Sequence, residues 1–188
     1  MKRVIAIALP ALALLLGACS TYTLQDPTRV KIGDFYYVDP QIPWSRGKFG
    51  AIELWTVDGP ILEAVRFFDP REDGESLFVA QSGRELPKFK KTMTAFDVKE
   101  YVVDSLSAAG LVAVQASNLR PWPFSALDGF RFDLSFIDEN GLEYDAIAAG
   151  AVANEQLYLM IYSGTRMYYF PKYRGYFESI LASVELAA

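Results

Sequence analysis

The stretch that decides the fold is Phe130-Arg131-Phe132-Asp133-Leu134-Ser135-Phe136. Large apolar residues alternate with polar ones at a period of two, the pattern of a strand buried on one face. Asp138-Glu139-Asn140-Gly141 then supplies turn chemistry, and residues 142–152 return as a second strand. Asn154-Glu155-Gln156 turns the chain again, and residues 157–162 are apolar on both faces. A strand apolar on both faces needs cover on both, so this meander is expected to hold the middle of an antiparallel sheet. Pro171 suits the first turn of a closing helix, whose buried face would carry Tyr173, Phe177, Ile180, Leu181 and Val184.

Upstream, Thr94 stands three residues before Asp97, a near capping box. Phe96, Val98, Tyr101, Val102, Leu106 and Ala109 follow at helical spacing, with Gly110 as the stop. Asp58-Gly59-Pro60 separates two strand-like runs, residues 49–57 and 61–68, and predicts a hairpin. Residues 32–38 read as a first strand, residues 40–47 as loop, residues 69–75 as a charged loop and residues 77–80 as a short edge segment. Residues 111–116 read as a strand. Residues 119–124 cannot be a central strand, because Pro121 and Pro123 lack the donors a ladder needs. The class expected is α+β: one domain over residues 30–188, an antiparallel β-sheet with helices packed against it.

Two resemblances add to this. Gly129-Phe130-Arg131-Phe132, the two hairpins that follow, and Tyr176-Phe177-Glu178-Ser179-Ile180-Leu181-Ala182-Ser183-Val184 together resemble the tail of PsbP-like domains. The resemblance implies an antiparallel sheet sandwiched by helices, in a family of accessory and assembly factors with no single shared reaction. The front half, with Glu53-Leu54-Trp55-Thr56-Val57-Asp58-Gly59, looks more like uncharacterised proteobacterial lipoproteins.

The second resemblance lies at the start. Lys2 and Arg3 precede an apolar run over residues 4–16, and Leu16-Gly17-Ala18-Cys19 follows. A charged start, about 7–15 apolar residues and small residues at the cut make a secretory signal. The run stops short of the roughly 20 residues a spanning helix needs. Leu16-Gly17-Ala18-Cys19 resembles the lipobox of bacterial lipoproteins, which implies cleavage before Cys19 and lipid, palmitate included, on that residue. A cut after Ala18 without lipidation would leave a free thiol on the chain's only cysteine. Residues 1–18 are therefore expected to be a signal peptide and residues 19–29 a lipidated tether. Ser20 stands where the family's inner-membrane retention signal is an aspartate, so the implied address is the outer membrane, facing the periplasm.

Composition narrows the chemistry. The 188 residues carry no histidine, so no Ser-His-Asp or Cys-His machinery can be assembled and imidazole metal ligands are missing. The formal charge of −5, more negative once Lys2 and Arg3 leave with the signal, argues against nucleic acid or anionic lipid as main partner. Ser45-Arg46-Gly47-Lys48 matches S-x-x-K, but nothing around it resembles the helix that chemistry needs. Residues 69–80 resemble a calcium loop only until Arg71 and Ala80, which fill ligand positions. Glu143 and Asp145 share a strand face with Asp133 across from them, raw material for glycoside hydrolysis or an ordinary wet sheet face.

The expected function is a non-enzymatic accessory or interaction module of the envelope, membrane-bound through its lipid, without cofactor or metal. Trp44, Trp122 and Phe124, in proline-rich stretches, would form its surface for an envelope protein partner. The alternatives are a small-ligand or glycan binding protein and, behind it, a carboxylate-based cell-wall hydrolase. Trp44 and Trp122 exposed together would favour the first. A cavity above roughly 300 Å³ would favour the second, and two carboxylates about 5–9 Å apart in a cleft the third. Replacing Cys19 by Ser is expected to abolish incorporation of labelled palmitate and leave an uncleaved or mislocalised precursor, read by metabolic labelling and fractionation.

Overall fold

The structure is a computed structural model that describes residues 22–79 and 85–187. Eight strands form one antiparallel sheet in the order β1-β4-β5-β6-β10-β9-β8-β7. They are β1 (Thr23–Gln25), β4 (Trp44–Phe49), β5 (Ile52–Thr56), β6 (Glu63–Arg71), β7 (Val112–Phe124), β8 (Leu127–Ile137), β9 (Glu143–Ala153) and β10 (Gln156–Thr165). A second, three-stranded sheet runs β11-β3-β2, from β2 (Val30–Ile32), β3 (Tyr36–Val38) and β11 (Glu185–Leu186). The helices are α1 (Ala95–Ala108) and α2 (Tyr169–Ala182). The class is α+β, as the periodicities imply.

Alternation along the strands sends side chains to two separate cores. On one face Phe130, Phe132, Leu134, Leu159 and Ile161 pack with Val98, Tyr101, Val102 and Leu106 of α1. On the other Trp55, Val65, Phe67, Met160 and Tyr162 pack with Tyr173, Phe177, Ile180 and Leu181 of α2 and with the small sheet. The molecule is thus three layers, with the sheet between its helices.

β9 makes this possible by being thin. Its centre is Ala146-Ile147-Ala148-Ala149-Gly150-Ala151, and its partners are large: Phe132 opposite Ala148, Phe130 and Leu159 opposite Gly150, Met160 opposite Ala149, Tyr162 opposite Ile147. Small residues under large ones fill both layers without overpacking. Gly150 is the tightest point, since a Cβ there would lie 2.1 Å from the Tyr158 carbonyl oxygen.

The helix ends follow the sequence. Thr94 Oγ1 accepts from the Asp97 N–H and the Asp97 carboxylate accepts from the Thr94 N–H, a complete capping box. At the other end the Leu111 N–H reaches the Leu106 carbonyl and the Gly110 N–H that of Ser107, with Gly110 at φ +102°, a Schellman motif. α2 is fastened to the sheet by Arg131, nearly inaccessible, whose guanidinium takes Glu178 bidentately.

Several segments differ from expectation. Residues 40–47 are not all loop: the prolines end before Trp44, and Trp44–Phe49 is β4, registered with β5 from Ser45–Thr56 to Phe49–Ile52. The span 32–38 is not one strand: Ile32 ends β2, a turn follows, and Tyr36–Val38 is β3. β6 runs on through Asp69 and Pro70 to Arg71, which donates to the carbonyls of Asp69 and Ala51. The segment assigned as tether contributes β1, whose three residues pair with Trp44, Ser45 and Arg46. Phe96 faces solvent rather than the core. Of residues 77–80, Leu77 is buried without strand pairing and Ala80 lies outside the described residues. Pro121 and Pro123 do belong to a strand, β7, but to the edge of the sheet, where a missing donor faces solvent.

Gly150→Ala is expected to destabilise the fold by about 1–3 kcal/mol through overpacking. A lower urea midpoint at unchanged slope is the readout.

Candidate functional site

On the α1 face of the sheet the helix ends before the sheet does. α1 packs chiefly over β7 and β8, and its Schellman turn leaves Leu106, Ala109, Gly110 and Leu111 as one wall of a partly open cavity of about 460 Å³. Phe68 on β6, Ile161 on β10 and the stacked pair Phe136–Tyr144 on β8 and β9 make an apolar floor. Phe78 closes one side against Phe68.

Two hairpin tips form the rim. In the β8–β9 turn the Asp138 carboxylate accepts the N–H groups of Asn140 and Leu142, each at 2.9 Å, and Gly141 sits at φ +79°. These bonds hold Asp138 below the ordinary carboxylate range even though desolvation pushes it up. The tip brings Asp138, Glu139 and Asn140 to the cavity. The β5–β6 tip is wider than a two-residue Asp-Gly turn, because the Glu63 side chain organises it. Glu63 Oε1 accepts from Thr56 Oγ1, Val57 N–H and Asp58 N–H at 2.6–3.0 Å. Tyr144 Oη donates to the Ile61 carbonyl and ties this tip to β9. On the far side Asp58 accepts from Lys172 and Tyr173, each at 2.6 Å, tying the tip to α2.

The cavity's cation is Arg66. It sits on β6 between Leu54 and Ile161, half-buried, and its Nη1 donates to Ser163 Oγ at 2.8 Å. No carboxylate pairs with it among the described residues. Burial pulls the guanidinium below its ordinary value, yet arginine stays protonated in proteins. The arrangement can hold an apolar molecule against the floor and offer directed N–H donors to a polar end.

The residues picked out in the sequence fall elsewhere. Trp44 and Phe124 are fully buried in the α2-side core, Trp44 against Trp55 and Tyr173. Both lie on strands whose alternation turns them inward, so the prolines nearby do not expose them. Trp122 is half-buried with the Arg131 guanidinium 4.9 Å from its ring. The three therefore do not form one exposed aromatic surface. Cys19 lies outside the described residues. Ser45 and Lys48 are three apart on a strand and point to opposite faces, so no serine–lysine pair exists.

The acids are also engaged. Glu143 and Asp145 both bind Arg166, and Asp133 accepts from Asn118. In the supposed calcium loop, Asp69 pairs with Lys48, Asp73 accepts from the Lys91 N–H and Glu75 from the Glu72 N–H. Among the described residues no cluster of three or more acids, histidines or cysteines could hold a metal.

Arg66 and Ser163 were the residues sequence reasoning missed. The signal was there: each is a polar residue inside an otherwise apolar strand, Ala64-Val65-Arg66-Phe67-Phe68 and Ile161-Tyr162-Ser163-Gly164. No protein-family model matches the chain, and no curated protein matches its sequence.

Glu63 gives a pH test of the rim. Burial raises its carboxyl above the ordinary value despite hydrogen bonds from Val57, Thr56 and Asp58, and its Oε2 has no partner. A raised folded pKa contributes stability fully present below the unfolded value, about 4.3, and lost as pH rises through the folded value. Stability of the native chain relative to Glu63→Gln is thus expected to fall as pH rises from 4 to 7 in urea titrations. A flat difference would contradict the assignment.

Proposed function

We propose that this chain is an outer-membrane lipoprotein, held by lipid on Cys19 and facing the periplasm, whose domain binds a small apolar ligand in the cavity at the C-terminal end of α1. The lipobox-like Leu16-Gly17-Ala18-Cys19 supports the anchor. The single observation that carries the binding reading is the 460 Å³ cavity floored by Phe68, Phe136, Tyr144 and Ile161, within the size range of small-molecule sites. Burial of Trp44 and Phe124 removes the surface on which the interaction-module reading rested.

The PsbP-like sandwich belongs to this proposal too. In its favour are an antiparallel sheet with a helix on each face and a terminal helix ending in Ile180-Leu181-Ala182-Ser183-Val184. β1 begins at Thr23, so in sequence only Ser20, Thr21 and Tyr22 separate it from Cys19. No described helix is long and apolar enough to cross a membrane.

The test uses 4-phenylbutan-1-ol and the full chain in phosphatidylcholine nanodiscs. At tenfold above its dissociation constant a ligand adds about 1.4 kcal/mol, a rise in Tm of about 3–6 °C for a chain this size. Ala109→Trp, at the exposed rim of the cavity, is expected to remove the rise. No shift in the native chain, or an equal shift in the variant, would reject the cavity as a binding site.

A further inference from the structure

We infer that the cavity's ligand is an amphipathic monoanion, a carboxylate on an apolar body, bound with its head against Arg66. This rests on the reading of the cavity as a ligand site and specifies the ligand's chemistry.

Other arginines of the fold have compensation. Arg29, Arg46, Arg131, Arg166 and Arg174 meet carboxylates. Arg71 and Arg120 donate to backbone carbonyls. Arg66 has five N–H donors and one protein acceptor among the described residues, Ser163 Oγ. It lines the cavity, so its remaining donors are available to a molecule that fills that space. A half-buried guanidinium beside an apolar surface and without a counter-charge gains from a directed anion. A carboxylate matches its planar fork with two parallel hydrogen bonds.

The surroundings narrow the choice. Asp138 is no counterion for Arg66: no ion pair joins them among the described residues, and its Oδ1 is held by the N–H groups of Asn140 and Leu142 in its own turn. Together with Glu139 it makes the rim negative, which opposes a doubly charged head such as a phosphate monoester and tolerates a single charge neutralised deeper in. Phe68, Phe136, Ile161 and Leu106 then require an apolar body, which counts against a sugar.

The experiment compares 4-phenylbutyrate with 4-phenylbutan-1-ol at pH 7 by calorimetry, using the full chain in phosphatidylcholine nanodiscs and empty nanodiscs as reference. The native protein is expected to bind the acid at least tenfold tighter than the alcohol. Arg66→Met should level the two while still binding the alcohol, and Arg66→Lys should keep part of the preference. If Arg66→Met fails to fold by circular dichroism, the Arg66→Lys comparison decides alone. Equal affinity of the native protein for acid and alcohol would overturn the anion inference and leave the cavity reading intact. Binding of neither would reject both. A preference for the acid that survives unchanged in every folded Arg66 variant would also overturn the assignment of the head group to Arg66.

Discussion

A sheet covered by helices on both faces must have central strands that are apolar on both faces, and those faces must not compete for the same volume. β9 meets this constraint by giving up side-chain bulk. Ala146, Ala148, Ala149 and Ala151 are almost completely buried, and Gly150 lies among them. Phe130 and Phe132 from one neighbour and Leu159, Met160 and Tyr162 from the other fill the space above and below. Both cores, and the seating of both helices, depend on that thin strand.

The cavity follows from how the helices are seated. α2 is pinned at several points: Arg131 to Glu178, Asp58 to Lys172 and Tyr173, and Tyr162 Oη to the carbonyls of Tyr169 and Phe170. α1 stops at a Schellman turn, and Phe68 of β6 and Ile161 of β10 line the same cavity as that turn. The sheet face left past that turn is apolar except for Arg66 and Ser163. Arg66 is half-buried there, with one hydroxyl as its protein acceptor and no carboxylate partner among the described residues, which is why Arg66 rather than any aromatic marks the site.

Much of this was legible in the sequence where one physical signal acted alone. The period of two in β8, the turn residues after it and the Thr94–Asp97 cap each specify local structure without reference to distant residues. β4 was hidden because Pro40, Pro43 and Gly47 bracket it with loop chemistry, although only Gly47 lies within the strand. β1 was hidden because Thr23-Leu24-Gln25 is short and leaves Leu24 exposed at a sheet edge, so no buried face imposes a pattern. The site was illegible for a different reason. Its walls come from a helix end, two hairpin tips and four strands, and no spacing in the chain encodes that convergence.

The most direct test of the account is methyl and arginine side-chain NMR on the full chain in nanodiscs, titrated with 4-phenylbutyrate. Saturable shifts confined to the methyls of Leu106, Leu111 and Ile161 and to the Arg66 Nε–H are the result expected of a carboxylate held in this cavity. Shifts centred instead on Ile180, Leu181 and Val65 in the opposite core, or none that saturate, would contradict it.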